Sequence, residues 1–408
     1  MEKTEIKKKK KDHRWVAIIA GGQGTRLFPL SHVDCPKQFC QLRPGVTFIQ
    51  DTVDRFTECG VKTTNIVVIT TNEMQTKLAR AQLAQRNVLS VNVHEIRPDY
   101  DYAGAMVKAA EFIYELDPEA IIMNTPADQY IAVDDNFKTT IVRAFESAAD
   151  GYPTVVGVKI SDIVTFTGCG HAIYEHGDND GNQTVFDITG FVEKPDKKKA
   201  TEMMRADISA CNTGINCWSA RKILEATACY RDRALRTDQL MELLGNEKKL
   251  SIGTFVWHDC GTLKSLYQVS EKTPNHKNAT IGGKVVDRND CRGSLFIVPD
   301  GVSLYATGVK DTAIVINLVG ERFVFAAVKL DQSQHVRALA ENFDAHKAIF
   351  ENDFSLDARN NIVMPTNLSQ EVMFGFIGTN GFIVSVVKDY DGHVVFNVGV
   401  IDDKNGKK

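Results

Sequence analysis

Residues 14–39 read RWVAIIAGGQGTRLFPLSHVDCPKQF. Trp15 to Ala20 is a short apolar run of the kind that forms a strand buried on both faces. It gives way at once to Gly21, Gly22 and Gly24, with Arg26 just beyond and a Pro36-Lys37 pair further on. A turn that leaves a strand and opens a helix gathers backbone N–H groups where an anion can sit, and the helix dipole adds to the attraction. The glycines remove Cβ atoms that would block the approach of a triphosphate. Arg26 can fork onto phosphate oxygens, and Lys37 can add a point charge. Two common phosphate loops are excluded. A dinucleotide fingerprint needs a further glycine where Thr25, Arg26 and Leu27 stand. A Walker loop needs a hydroxyl residue after its lysine, and Gln38 follows Lys37.

The same alternation continues outward from this strand. NIVVITT (Asn65 to Thr71), LSVNVHEI, AIIMNTPADQYI and TVVGVKI are strand candidates. Between them lie the helical patterns EMQTKLARAQLAQ, AGAMVKAAEFIYEL and DNFKTTIVRAFESAA. Strands and helices alternating at this length predict βαβ units and a mostly parallel mixed sheet. From Gly168 two strands flank a polar Gly/Asn/Asp turn, and after Thr273 short β-runs punctuated by Gly, Asn and Asp replace long helices. The expected organisation is a disordered basic leader over 1–13, an α/β domain over 14–273 and a smaller β-rich domain over 274–408. A helical pattern over Asp331 to Ala348 suggests a subdivision near 345.

The chain has 408 residues, 43% hydrophobic and 25% charged, an ordinary globular composition. Its net charge of −4 argues against nucleic acid as a partner, so any polyanion site has to be local. No run of about 18 apolar residues predicts a membrane span. Lys7 to Lys11 read as a solvated leader, with no apolar segment behind them to make a secretory signal. The nine cysteines include no C-x-x-C pair, which argues against a zinc site or a disulfide framework. Reduced thiols in a cytoplasmic protein are the simplest reading.

AGGQGTRLFPLS followed by PKQF resembles the signature of the sugar-phosphate nucleotidyltransferases. LFPLS and PKQ are most similar to the bacterial mannose-1-phosphate guanylyltransferases. The resemblance implies a Rossmann-like catalytic domain whose loop, Ala20, Gly21, Gly22, Gly24, Thr25 and Arg26 with Lys37, wraps the nucleotide phosphates. NTPADQYI resembles a P-A-D-H station, which makes Asp128 a nucleotide-site residue and Mg2+ ligand, with Gln129 in place of histidine. TGFVEKP resembles F-x-E-K-P and implies that Glu193 binds sugar hydroxyls and Lys194 the sugar phosphate. CNTGINCW resembles the N-[ST]-G station, placing Asn212 and Gly214 at the sugar, together with Gly170. RTDQLMELL brings in Asp238. WHDCGTLKSLYQV resembles D-x-G-[ST]-W and makes Asp259 the second metal ligand, with Leu263 in place of tryptophan. The GVKDTAIVINLV stretch resembles the family's C-terminal pattern, so the resemblance runs over roughly residues 14–340.

The implied activity is nucleotidyl transfer from a nucleoside triphosphate to a sugar 1-phosphate, with GTP and mannose 1-phosphate as the first pair, Arg26, Lys37 and Lys194 as catalytic cations, and a homodimer as the expected state. A difference stands at EIRPDYDYAGAMVKAA, where the family usually carries N-T-A-P-A. Tyr100 and Tyr102 there are candidates to stack on a base or sugar ring. A heptose or another hexose 1-phosphate, or another triphosphate, therefore stays open. So does a homologue that binds nucleotide-sugar without making it.

Overall fold

The computed structural model describes residues 12–331 apart from 23–24, 176–183, 231–234, 246 and 320–321, and beyond 331 only strand segments between 355 and 400. The chain divides into two compact units. The first comprises Met1–Gly21, Thr52–Ala127 and Ile131–Trp257, and the second Gly22–Asp51, Asp128–Tyr130 and His258–Lys408. Residues 1–11 of the leader and the helical pattern over 332–348 lie outside the described residues.

The first unit is built on a nine-stranded mixed sheet. Its strands are β1 (Arg14–Ile19), β2 (Ile66–Thr70), β3 (Val93–Glu95), β4 (Ile121–Pro126), β5 (Thr154–Val158), β6 (Gly170–Tyr174), β7 (Val185–Glu193), β8 (Ser209–Ser219) and β9 (Lys249–Gly253). They lie in the order β3-β2-β1-β4-β8-β5-β9-β7-β6. The parallel pairing that the alternation predicts runs through β3, β2, β1 and β4, and returns between β9 and β5. By contrast, β8 runs antiparallel to both β4 and β5. Val16, Ala17 and Ile18 have no exposed surface, as a strand covered on both faces requires.

Helices α1 (Glu73–Ala84), α2 (Tyr102–Leu116) and α3 (Asp135–Ala149) begin at Asn72, Asp101 and Asp134. Each side chain accepts a hydrogen bond from an otherwise orphaned N–H of the first turn. One face of α2, with Ala103, Met106, Ala110 and Ile113, packs on Trp15, Ala17, Val67, Ile122 and Trp218. Truncating Met106 or Ile113 to alanine costs about 2–5 kcal/mol, the range for an aliphatic side chain lost from a close-packed core.

In the second unit, Leu27, Phe28, Leu30, Cys40 and Phe48 share a core with Leu263 and Leu266 of helix α4 (Leu263–Val269). Strands β10 (Ala279–Asn289), β11 (Leu295–Thr307), β12 (Thr312–Val319) and β13 (Arg322–Lys329) complete it. β10 lies parallel to β11, β11 parallel to β12, and β12 antiparallel to β13. Successive parallel strands ordinarily need a long crossover. The connections here are short, so β10 to β12 wind as a coil with each strand stacked on the one before, and β13 pairs antiparallel at its end. The corners demand glycine. Gly282 has φ +84°, and a Cβ on it would stand 2.1 Å from the Val298 carbonyl oxygen; one on Gly283 would stand 2.3 Å from that of Pro299. Asn317 of β12 donates to the carbonyls of Pro29 (2.8 Å) and Leu30 (3.1 Å), fastening the segment after the glycine turn to the coil. Among the described residues, no helix is long and apolar enough to cross a membrane.

Candidate functional site

Within the second unit, Pro36 leads into a single 3-10 turn, Lys37–Phe39, which carries the Lys37 side chain inward to 6% exposure. Burying an ammonium group requires partners. Its Nζ lies 3.2 Å from Asp128 Oδ2 and donates to the Asp259 carbonyl oxygen at 2.5 Å. The Phe48 ring lies beneath it, 5.3 Å to the centroid, adding a cation–π contact. Asp128 and Asp259, far apart in sequence, thus meet on one ammonium group.

Asp259 sits at a built turn. Its Oδ1 accepts the Gly261 N–H at 3.1 Å, and Thr262 with Ser265 forms a capping box that starts α4. Cys260 between them takes φ +49°, a left-handed conformation that costs a non-glycine residue about 1–3 kcal/mol and persists where the surroundings over-determine it. Its thiol is buried, and burial pushes its pKa up to about 12, so it stays protonated and serves packing. Arg26 is exposed on the turn Thr25–Leu27, with Leu27 anchored in the core behind it. Gly22 offers its carbonyl to Gln38 Nε2 at 2.9 Å, and a Cβ on it would meet nothing within 4 Å. Among the described residues no neighbour therefore crowds Gly22. Gly24 lies outside the described residues, as does the Thr25 side chain.

Asp128 and Asp259 present carboxylate oxygens, the donor type that Mg2+ prefers, and Mg2+ sites commonly use one or two carboxylates with substrate phosphates and water. Their donor chemistry is compatible with that ion, while Asp128 Oδ2 meets Lys37 and Asp259 Oδ1 meets the Gly261 N–H. Among the described residues there is no cluster of three or more His, Cys, Asp or Glu that would form an all-protein cage.

Within the first unit, Ala20 continues β1, its N–H bound to the Ile69 carbonyl at 2.8 Å. The Gly21 carbonyl accepts from Thr71 Oγ1 at 3.0 Å, and a Cβ on Gly21 would stand 2.6 Å from Thr71 Cγ2. Packing alone therefore calls for glycine at 21.

Gly170 of β6 pairs with Glu193 of β7. A Cβ on Gly170 would lie 2.5 Å from Glu193 Oε2, so the glycine makes room for that carboxylate. Lys194 follows with φ +40°, its N–H bound to the Cys169 carbonyl at 3.1 Å and its Nζ 3.6 Å from Glu193 Oε1. Behind this edge His171 is fully buried, stacked on Phe166, with Nε2 at the Phe166 carbonyl and, among the described residues, no partner on Nδ1. Burial pulls its pKa below the ordinary histidine value.

Asn212 and Gly214 form a bulge in β8, where the register with β5 shifts between Asn212 and Asn216. Asn212 Oδ1 accepts the Gly214 N–H at 2.9 Å, and Gly214 takes φ +76°. Bulges re-aim side chains and recur beside active sites. Asp238 lies in the helix Thr237–Leu243, its side chain outside the described atoms. The two candidate stacking tyrosines also make contacts within the protein. The Tyr102 hydroxyl donates to the Gly214 carbonyl at 3.1 Å, and Tyr100 packs over Gly104 beneath Arg97 and Lys108.

The second unit thus brings Lys37, Asp128 and Asp259 together, and the first brings Gly170, Glu193 and Lys194 to one strand edge and Asn212 and Gly214 to one bulge. Sequence reasoning missed Thr71, Gln38 and Cys260. Gln38 adjoins Lys37 and could have been read as its companion. Thr71 and Cys260 carry no local signal, because a hydroxyl after a strand and a cysteine between aspartate and glycine are ordinary.

A family model described as Nucleotidyl transferase matches residues 16–276. A mannose-1-phosphate guanylyltransferase of Sinorhizobium fredii is 32% identical over 51% of this chain and 40% of its own length. One of Escherichia coli is 25% identical over 72% of this chain and 62% of its own. The chain therefore spans less than two thirds of the length of either relative. A crystal structure described as a mannose-1-phosphate geranyltransferase from Thermus thermophilus matches with TM-score 0.65 at 22% identity, covering 82% of this chain and 100% of that one. At that identity the likeness is one of fold, a mixed α/β unit followed by a β-rich region.

Proposed function

Because the chain belongs to the nucleotidyl transferase family, we propose that it joins a nucleoside triphosphate to a sugar 1-phosphate, releasing pyrophosphate, with GTP and mannose 1-phosphate giving GDP-mannose as the first pair to test. The observation that carries this reading is the buried Lys37, held by Asp128 and the Asp259 carbonyl beside an exposed Arg26.

The chemistry follows from the charges. A sugar phosphate oxygen attacks the α-phosphorus, the bond to the bridging oxygen breaks, and pyrophosphate leaves. The nucleophile is already an anion at neutral pH, so no general base is required. Two polyanions repel, and the protein's task is to neutralise and align them. Arg26 and Lys37 hold the triphosphate tail, and Lys194 meets the sugar phosphate. Glu193 accepts hydrogen bonds from sugar hydroxyls, with Asn212 and Gly214 shaping the same rim. Asp128 and Asp259 would hold Mg2+, which would supply charge neutralisation to the phosphates. Lys37 comes pre-positioned, so its charge needs little reorganisation at the moment of reaction.

A different substrate pair is the second reading. It is favoured by Tyr102, whose hydroxyl occupies the Gly214 carbonyl at the bulge. The test is pyrophosphate release with four nucleoside triphosphates against a panel of hexose and heptose 1-phosphates, with Mg2+ and with a chelator. Release with GTP and mannose 1-phosphate, abolished by the chelator, is the expected result. Release with another pair selects the second reading. Release from none of them refutes both and leaves a nucleotide-sugar-binding homologue.

A further inference from the structure

Cys35 and Cys40 bracket Lys37 on either side of Pro36-Lys37-Gln38-Phe39, and their sulfurs lie 3.8 Å apart. Cys40 is buried at 3% exposure in the core with Leu30, Leu42 and Phe48, its thiol aimed at the Leu30 carbonyl at 3.2 Å. Cys35 is half-buried and closes a small hairpin, its N–H and C=O both bound to His32 at 3.0 and 3.1 Å. We propose that this pair is a modification site, a dithiol that a hydroperoxide oxidises to a disulfide, and that closing it displaces Lys37. The consequence for activity rests on the proposed role of Lys37; the oxidation itself does not.

The step balances. The Cys35 sulfur, as thiolate, attacks one peroxide oxygen, the O–O bond breaks, and the departing hydroxide is protonated to water. Cys35 is then a sulfenic acid. The Cys40 sulfur attacks it, the S–S bond forms, and the hydroxyl leaves as a second water with the Cys40 proton. Two thiols and one hydrogen peroxide become one disulfide and two waters, the sulfurs giving two electrons to the peroxide. The division of labour suits the two settings. The more accessible sulfur meets the oxidant, and the buried one resolves it within contact distance. The hydrogen bond with Cys40 draws the Cys35 thiol below its ordinary pKa, which favours it as the attacking partner.

A disulfide needs its sulfurs about 2.05 Å apart, so the pair has to close by roughly 1.7 Å. Cys40 is wedged in the core, and the movement falls on Cys35 and Pro36. Pro36 immediately precedes Lys37, whose ammonium group has contacts at 2.5 and 3.2 Å to hold. A displacement of about 1 Å at a positioning group can cost 10²-fold.

Trypsin cleaves after Lys37, so a Cys35–Cys40 disulfide joins two peptides that a reductant separates. The fully reduced protein is treated with hydrogen peroxide, digested, and mapped by mass spectrometry with and without dithiothreitol. The treated protein is also assayed for pyrophosphate release. We expect the joined peptides, a loss of kcat/KM of at least about tenfold, full recovery with dithiothreitol, and none of these in Cys35→Ser. Cys40→Ala, tested alongside, should also resist the loss. If peroxide oxidises other thiols and leaves these peptides unjoined, the site is refuted. If they join and turnover is unchanged, the coupling to Lys37 is refuted. If the reduced protein releases no pyrophosphate from any substrate pair, the proposed function fails, and the peptide map still decides the site because it needs no turnover.

Discussion

Lys37 is 6% exposed and reaches an aspartate carboxylate, a backbone carbonyl and an aromatic face. Lys194 is 65% exposed and reaches toward Glu193, itself 74% exposed, across 3.6 Å. Both are assigned to phosphate, yet the protein fixes the first through its side chain and the second through its backbone. Lys37 sits in an ordinary turn with an immobilised ammonium group. Lys194 sits in a left-handed backbone conformation, φ +40°, with a solvated arm. Under the proposed function, the contrast is between a charge set in place before substrate arrives and one on a strained backbone with an exposed arm. Exposed ion pairs such as Glu193 with Lys194 contribute little to stability by themselves, so the pair does not offset the strain there.

The largest effect is expected at the fixed charges. Asp128→Asn and Asp259→Asn should each lose about 3 kcal/mol or more of transition-state stabilisation, a fall in kcat/KM beyond a hundredfold. Normal turnover in both variants would remove the metal assignment and half of the contrast with it. Lys37→Met should cost about 2–3 kcal/mol in kcat/KM. Lys37→Arg should fail to rescue it, because the buried setting fits a compact ammonium group rather than a planar fork. An arginine that restores activity would show that Lys37 is not positionally locked.

Lys194→Gly sharpens the other side. Glycine takes positive φ freely, so unfolding free energy should rise by up to about 1 kcal/mol in denaturant titration, while KM for the sugar phosphate increases. Unchanged stability would mean that the backbone there is not strained. The smallest effect concerns His171, behind the same edge. Its folded pKa is lowered by burial, so the unfolded chain takes up its proton first. The stability that the neutral ring contributes is therefore present above the unfolded pKa of about 6.5 and declines as pH falls from there toward the lowered folded value. His171→Phe should flatten the denaturation midpoint against pH in that window, and an unaltered slope would assign the dependence elsewhere, His94 being the next candidate.

Much of this could be read before any coordinates. The β1 strand is legible because a buried strand must be apolar on both faces, and the glycines after it are legible as a turn, their phosphate role remaining part of the proposal. The three helices are legible from their apolar spacing, while their caps at Asn72, Asp101 and Asp134 emerge only in the structure. The burial of Lys37 was not legible, since the carbonyl that holds it lies 222 residues further along the chain. Cys260 was missed because its conformation is imposed by its surroundings and not by its own preference. The β-rich region was legible in type and not in winding. Short β-runs predict strands, but whether neighbours stack parallel is decided by corners such as Gly282 and Gly283, whose meaning appears only when the next rung is in place. The contacts of Tyr100 with Gly104 and of Tyr102 with Gly214 were likewise not legible, because both partners are set by the fold.

That winding has a consequence for how such a chain can change over generations. Where each rung offers its successor the same backbone ladder, a whole turn can be duplicated or deleted with little disturbance to the rungs already laid down, provided its bends keep their bare Cα positions. A substitution at one of those bends has no such freedom, because the obstacle it meets is the main chain of the adjoining layer and cannot step aside.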